Sequence, residues 1–523
     1  MRLPCILLPA LALLACTDEP SLPDAVESFR VTFVGQNDRG SPESPRVFSM
    51  DSLNPDEFTI DIQALRGGEP YPFEGWVLLD VQPEVVSCGQ VSPQSVRLQG
   101  GVAKNVKVSV YRAYCTVRLV ATDVGYVPAA DPANSRCQND IDDDGDGYID
   151  LPKLGAKKPG NGMQYGDNGC AMASDDSEEG GTGASGASDP IYYRCPTMAD
   201  IQTPILGKTG NESPLKTCRV MIDRGWLLVT RVGVDGLYVT DFEGVKWDAG
   251  KQNWSFAPEE LSYDSMFVYN YSTPVNLQEG DCLTQVDGTV EEFYGFTEMN
   301  KPVWKKGDFA FCAAKARAAG LTDCPTREED RDSAAGKLCR QRIEQLANSP
   351  VDLTRLMLKD HQGIDKSVWD LPVEVLAERF ESGIVKLSTL KPADCTTSDC
   401  TVKMFTEARF CDADSDGEIN FSHEDEKDCS NDCGDHTGCI VMETYRQYNQ
   451  WSVHFMDGAN AEQEVSIVTA GAIPTFDPIA ASKKDPQGMV IGEVVGTLRH
   501  LVFARPPWII EARRPSDCPD CKN

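Results

Sequence analysis

The residues of this chain best placed to do chemistry are carboxylates at alternate positions, and the chemistry they suit is the capture of a hard divalent cation. Asp140, Asp142, Asp144, Asp146 and Asp150 follow Cys137, with Gly147 where a loop must turn sharply. Calcium takes six to eight oxygens at about 2.3–2.6 Å, and this spacing wraps several carboxylates around one ion. Asp175 and Asp176 lie downstream, and a second run, Asp412, Asp414, Asp416, Glu418 and Asn420, repeats the rhythm. So many carboxylates close together repel one another without a cation. The expected cofactor is therefore calcium acting as a staple for segments that lack an apolar core. The alternative for either run is a solvated acidic turn.

Cysteine usage points to an oxidising compartment. Of 20 cysteines, Cys5 and Cys16 fall in the N-terminal apolar run, leaving an even number for disulfides. They group locally as Cys88 with Cys115, Cys137 with Cys170, Cys195 with Cys218, Cys395 with Cys400 and Cys518 with Cys521. Two sets of four remain, Cys282, Cys312, Cys324, Cys339 and Cys411, Cys429, Cys433, Cys439; pairing within each is open, and zinc is the rival reading of the second. Asp plus Glu total 81 against 49 Lys plus Arg, a net charge of -32. That balance disfavours non-specific nucleic-acid binding.

No catalytic motif is visible. The five histidines, at 361, 423, 436, 454 and 500, form neither a nuclease nor a zinc-protease pattern, and there is no Gly-x-Ser-x-Gly elbow. A non-enzymatic role is expected. The catalytic alternative is a hydrolase assembled from scattered residues such as His454 and Glu511.

The elements that must position these residues are mainly β. At 523 residues, three or four domains are expected. From 29 to 130, Phe29, Val31 and Phe33 alternate with polar residues, and the rhythm returns at Phe58, Ile60, Ile62 and at Val106, Val108, Val110, as in a two-sheet sandwich. An acidic calcium segment spans 134–179 and a Gly/Ala/Ser linker 180–190. Strands return over 191–304, enough for a small barrel. Residues 305–372 read as helical, residues 373–515 as a second β unit with an acidic insertion at 405–440, and 516–523 as a tail.

Several resemblances sharpen this reading. The run from Cys137 through Gly166-Asp167-Asn168-Gly169-Cys170 to Asp175-Asp176-Ser177-Glu178 resembles the Cys- and Asp-rich metal motif of secreted bacterial proteins, akin to thrombospondin type-3 repeats. The resemblance implies a Cys137–Cys170 disulfide and calcium on Asp142, Asp144, Asp146 and Asp150. The run from Asp412 is similar to the first nine positions of an EF-hand or dockerin-type loop. It departs at His423, where the bidentate acid belongs, leaving Glu424 or Asp425 to substitute; Lys153 is the matching departure in the first run.

Leu13-Leu14-Ala15-Cys16, closing an apolar run after Arg2, resembles a lipoprotein cleavage box. It implies a signal peptide over 1–15, acylation of Cys16, a tether over 16–28, and a bacterial envelope location, at the outer membrane or cell surface, through a lipid anchor. Residues 29–130 resemble the immunoglobulin-like modules of bacterial surface proteins. Val232 to Asp241, Met266 to Tyr269, Gly280-Asp281 and Gly288-Thr289-Val290 through Thr297-Glu298-Met299 resemble the OB-fold domain that precedes the catalytic domain of secreted bacterial endonucleases. That catalytic domain has no counterpart here. A second copy begins near Glu381 and closes at Val495-Gly496-Thr497-Leu498 and Trp508-Ile509-Ile510, with the second acidic run as an insertion. OB barrels bind ligands on aromatic-bearing faces, which makes Tyr238, Tyr269, Tyr271 and Tyr294 candidate ligand-surface residues. A protein or glycan partner is expected; the alternative is a surface protein that binds nucleic acid or polysaccharide beside a secreted nuclease.

Overall fold

The structure is a computed structural model and describes residues 25–35, 38–47, 55–83, 89–111, 114–130, 135–138, 143, 148–149, 164–165, 170–177, 180–205, 212–360, 362–370, 376–388, 405–406, 448–478, 481, 489–501 and 507–522. It is mainly β and divides into two compact units. One comprises residues 1–82, 89–113 and 117–192; the other comprises 83–88, 114–116 and 193–523.

In the first unit, strands form where apolar residues alternate. Along Asp56–Arg66, Phe58, Ile60, Ile62 and Ala64 are buried while the residues between them are not, the period-two signature of a half-buried strand, broken only at its end where Leu65 is buried too. The strands are β1 (Ser28–Phe33), β2 (Asp56–Arg66), β3 (Gly75–Pro83), β4 (Gln90–Ser92), β5 (Ser95–Leu98), β6 (Val102–Tyr111), β7 (Thr116–Thr122) and β8 (Ser185–Ala187). Where the sequence suggests two sheets, these strands join in one, ordered β4-β6-β2-β1-β8-β7-β3-β5. The reason is β8, which lies in the segment expected to be a flexible linker. It pairs parallel with β1 at Ser28 and antiparallel with β7 from Val120 to Thr122, sewing the two halves together. Gly186 permits this, because a Cβ there would run into the Phe29 backbone. Asp123 holds the approach by accepting from Thr182 N and Thr182 Oγ1.

The second unit contains a nearly closed, barrel-like sheet. Its strands are β9 (Arg219–Ile222), β10 (Leu227–Val232), β11 (Gly236–Asp241), β12 (Ser265–Tyr269), β13 (Cys282–Phe293) and β14 (Phe296–Lys306). β10 to β14 close in a ring, β10-β11-β12-β14-β13 and back to β10, in which only β12 and β14 run parallel; β9 extends β13 at one edge.

Further along come β15 (Ile384–Ser388), β16 (Gln450–Met456), β17 (Glu462–Val468), β18 (Glu493–His500) and β19 (Trp508–Glu511). They pair as β15-β18-β19-β17-β16, again with the third and fifth of the set, β17 and β19, parallel. This is the order of the first ring, opened between its first and second strands.

Three helices occur among the described residues: α1 (Met198–Gln202), α2 (Phe309–Ala318) and α3 (Ala334–Ala347). α3 starts at Ser333, whose hydroxyl caps Gly336 N, and buries Cys339, Ile343 and Leu346 at helical spacing. The segment 305–372, expected to be helical throughout, is so only up to Ala347. Pro350 cannot continue a helix, and the chain then forms a strand, Val351–Asp352, paired with β15, and a hairpin from Met357–Lys359 to Asp365–Ser367. One apolar core runs through both strand sets and helices α2 and α3, including Trp226, Ile343, Trp369, Trp451 and Trp508.

The disulfides correct two pairings. Cys115 bonds Cys195, so neither a Cys88–Cys115 nor a Cys195–Cys218 bond forms; Cys218 is disulfide-bonded elsewhere. Sequence neighbours misled because Tyr193 and Arg194 run beside Cys115, exchanging backbone hydrogen bonds with it. Cys137 bonds Cys170 and Cys518 bonds Cys521. In the first set of four, Cys282 bonds Cys312 and Cys324 bonds Cys339, anchoring α2 to β13 and α3 to the loop before it. Cys88, Cys395, Cys400, Cys411, Cys429, Cys433 and Cys439 lie outside the described residues, as does Cys16.

Candidate functional site

Where the two strand sets meet, two glutamates and a histidine come together away from water. A 3₁₀ turn, Leu376–Phe380, buries Leu376, Ala377 and Phe380 as anchors. Three residues per turn place Glu378 and Glu381 on one side of it. Glu381 N donates to Glu378 O, and the chain then turns through Ser382, at φ 63°, onto β18, where Ser382 N donates to Leu498 O. This brings both carboxylates beside His500, at the end of β18, and one ligand atom from each of Glu378, Glu381 and His500 lies within 4.8 Å of the others.

The first strand set supplies the facing wall. Glu381 Oε2 accepts from Thr297 N at 3.0 Å. Glu292 Oε1 accepts from Ser213 N at 2.7 Å and Thr297 Oγ1 at 2.8 Å. His500 Nδ1 lies 3.2 Å from Gly295 O and 3.4 Å from Glu378 Oε2, and its ring stacks on Trp508 at 4.5 Å. Glu378 and Glu381 are 6% and 3% exposed, and Glu378 Oε2, Glu381 Oε1 and Glu292 Oε2 are buried without a hydrogen-bond donor. Burial drives the Glu378 carboxyl well up, and the nearby Glu292 charge adds to this. Burial does the same at Glu381, with Glu378 the next cause. His500 is pushed down by burial, a shift the Gly295 carbonyl opposes.

A second, half-buried cluster lies on the same seam. Arg231 of β10 binds Thr497 Oγ1 at 2.7 Å and pairs with Glu511, which Arg499 also approaches at 3.5 Å. Burial pushes the Glu511 carboxyl up, but the Arg231 and Arg499 guanidiniums more than offset this and hold it below its usual range. The hydrolase pair is not assembled. His454 faces Glu464, 3.8 Å away, whereas Glu511 stands opposite Val468, four residues further along β17 and thus roughly 13 Å away along the strand.

The aromatic candidates divide. Tyr238 is 3% exposed, packed with Phe267, Phe296, Leu501 and Ile509 in a core, so it presents no ligand surface. Tyr269 is half-buried and its ring lies 4.5 Å from that of Tyr271, which is 59% exposed. Tyr294 is 57% exposed at the tip of the β13–β14 hairpin, edge-on to Phe293 at 4.9 Å. The OB-fold resemblance nominated all four, and the sequence could not say which of them met the second strand set.

Of the calcium candidates, Asp175 and Asp176 are described. Asp175 is fully buried and accepts from Val127 N and Ser177 N on one oxygen and Ala171 N on the other, tying three stretches of chain together. Burial raises its pKa against those hydrogen bonds. Asp176 accepts from Arg136 N at 3.3 Å. Asp140, Asp142, Asp144, Asp146, Asp150, Asp412, Asp414, Asp416, Glu418, Asn420 and Asp425 lie outside the described residues.

A cavity of about 250 Å³ lies between the Gln278–Asp281 loop and helices α2 and α3; its wall sets Glu279, Asp281, Asp308, Glu328 and Glu344 against Lys306, Arg331 and Arg340, a mixed lining with a small acidic excess. No helix among the described residues is long and apolar enough to cross a membrane. No family model matches the chain, and neither a curated protein nor a solved structure matches it.

The sequence reading missed the Glu378–Glu381–His500 cluster. Its one local signal is Glu378 and Glu381 three residues apart; His500 lies far along the chain and joins them only through the pairing of β15 with β18.

Proposed function

We propose that this chain is a lipid-anchored, calcium-stabilised protein of a bacterial envelope that displays two OB-like barrels for contact with a protein or glycan, without catalysis of its own. The observation that carries the reading is the twice-used strand order. Numbered along the chain, the first set closes as 1-2-3-5-4 and back to 1, and the second keeps 2-3-5-4-1 but is open between 1 and 2; in both the third and fifth strands are parallel, the order of an OB barrel. Such barrels serve as binding modules, and the exposed rings of Tyr271, Tyr294 and Phe293 supply apolar area on the first. The acidic balance favours a protein or glycan over a phosphate backbone.

Cys16 would carry the anchor, and the runs from Asp140 and Asp412 would carry calcium. The test uses an acyl-free chain beginning at Thr17, disulfides intact, presented to glycan, envelope-protein and single- and double-stranded nucleic-acid ligands in calcium or in chelator. Retention of a glycan or protein, weakened about tenfold by Tyr271→Ala or Tyr294→Ala, supports the reading. Calcium-dependent cutting of nucleic acid overturns it. A fall in thermal midpoint on chelation supports the structural role of calcium, and an unchanged midpoint removes it.

A further inference from the structure

We infer that Glu378, Glu381 and His500 form a buried site for one divalent transition-metal ion, of the zinc or manganese type, clamped between the two strand sets and distinct from any calcium loop.

Three observations carry this. The first is geometry: two carboxylates and an imidazole, each offering one donor atom, converge within 4.8 Å. A single ion bound at roughly 2.0–2.2 Å to each donor needs them no more than about 4.4 Å apart, so the side chains would draw in by a few tenths of an ångström around it. The second is the state of the donors. Glu378 Oε2 and Glu381 Oε1 are shut away from solvent and make no hydrogen bond, His500 Nδ1 standing 3.4 Å from Glu378 Oε2 as an ion-pair contact, although each glutamate is more than nine-tenths buried. An unpaired buried carboxylate is among the costliest groups a protein can hold, and metal coordination is one of the few ways to satisfy it. The third is charge. Two carboxylates balance one divalent cation, and the Glu292 carboxylate alongside, itself with a buried oxygen lacking a donor, adds attraction for a cation.

The donor set selects the ion. Calcium wants six to eight oxygens, whereas this site offers three protein donors, one of them nitrogen. Imidazole with carboxylates suits zinc, manganese or iron. The surroundings also hold the donors in place. Thr297 N fixes the far oxygen of Glu381, and the Trp508 stack fixes the imidazole plane. Because Thr297 belongs to β14 and His500 to β18, an ion here would lock the two strand sets together.

The competing account is a proton shared between Glu378 and Glu381 with no metal. The full acyl-free chain is stripped with chelator, then equilibrated with Zn²⁺, Mn²⁺ or Co²⁺ in a large excess of Ca²⁺ that saturates the acidic loops; retained metal is counted after gel filtration. One equivalent of transition metal per chain is expected. Glu378→Gln and Glu381→Gln keep the shape and remove a charge, and each should weaken retention on the order of 100-fold. His423→Gln, in the second acidic run, should leave it unchanged.

If the glutamine variants do not fold, X-ray absorption on the unaltered chain loaded with Co²⁺ decides: imidazole nitrogen in the cobalt shell, kept in His423→Gln, supports the site. No retained transition metal in calcium excess, retention indifferent to both glutamine variants, or a cobalt shell without imidazole overturns it in favour of the shared proton.

Discussion

The two strand sets of the second unit share an order but not a closure, and the difference lies in one connection. In the first, β10 and β11 are joined by Gly233–Asp235, a hairpin too short to let them separate, and β13 pairs back to β10 to shut the ring. In the second, residues 389–449 separate β15 from β16, and β16 pairs instead with a short strand, Phe405–Thr406, which itself pairs with Met489–Val490. Closure of a small barrel therefore depends less on its core than on whether the first two strands are held in register by a tight turn. The other shared device is a glycine. Gly288 of β13 and Gly496 of β18 each sit where the fourth strand crosses closely over the fifth, followed by a threonine facing Asn300 in one case and Glu511 in the other.

Those matched positions give the comparison its sharpest tests. Glu511 is a half-buried anion held by Arg231 and Arg499, so Glu511→Ala takes the carboxylate away from two guanidiniums in the seam and is expected to cost about 3 kcal/mol in chemical denaturation. A loss below about 1 kcal/mol would mean that water reaches the seam. The glycines come next. At Gly496 a Cβ would strike the Glu511 backbone, which cannot step aside; at Gly288 it would first meet the Met299 side chain, at 2.5 Å, with Asn300 O at 2.8 Å. Gly496→Ala should therefore cost about 2–3 kcal/mol and Gly288→Ala about 1–2 kcal/mol. The reverse order, read from denaturant midpoints, would sink the claim that the crossing is tighter in the open set.

Titration separates the sets as well, with opposite signs. Asp264, in the turn before β12, has its pKa raised to about 8, by burial first and then by Asp241 and Glu243. A carboxyl raised in the folded state stabilises fully below its unfolded pKa and loses that contribution as pH climbs from about 4 to about 8. Glu511 is depressed, so its contribution is present above its unfolded pKa and disappears as pH falls through the folded value. Asp264→Asn should thus raise the thermal midpoint at pH 8 but not at pH 4. Discounted for Asp264's partial exposure, the gain is about 1–2 kcal/mol. An equal effect at both pH values would show that the proton is not what matters.

Much of the strand content was legible because alternation reports burial directly. Phe58, Ile60 and Ile62 announce their strand, and the Gly-Thr pairs at 288 and 496 announce the repeat. What was illegible depends on partners remote in the chain. The Gly/Ala/Ser composition of 180–190 reads as a linker, yet small residues are also what a strand needs when it is squeezed between two others, as Gly186 is against Phe29. The Cys115–Cys195 bond spans 80 residues and no local count suggests it. Tyr238 and Tyr271 look alike in a strand pattern, but the second strand set covers the first and leaves the other exposed. His500 had no motif around it, since its carboxylates arrive from a 3₁₀ turn more than a hundred residues earlier.

The smallest expected effect tests what fills the matched position in the closed ring. Asn300, where the open set has Glu511, accepts from the Tyr271 hydroxyl at 2.6 Å and from Lys301 N at 2.7 Å, and donates to Glu291 Oε2 at 2.9 Å. Among the described residues no arginine pairs with it; Glu298, two residues earlier, is raised to about 7 by burial and by Glu291. A neutral amide fits such an acidic surrounding where a carboxylate would not, which accounts for the different residue at the same place. Asn300→Ala removes one satisfied amide and leaves the partly exposed partners free to find water, so about 1 kcal/mol of stability is expected to be lost. The larger consequence falls on Tyr271, held at φ 59° with its hydroxyl fixed by Asn300. Released, that ring loses its orientation, and any glycan or protein held through it should dissociate faster in Asn300→Ala. An unchanged dissociation rate alongside a measured stability loss would assign Asn300 to the fold alone and take Tyr271 off the contact surface.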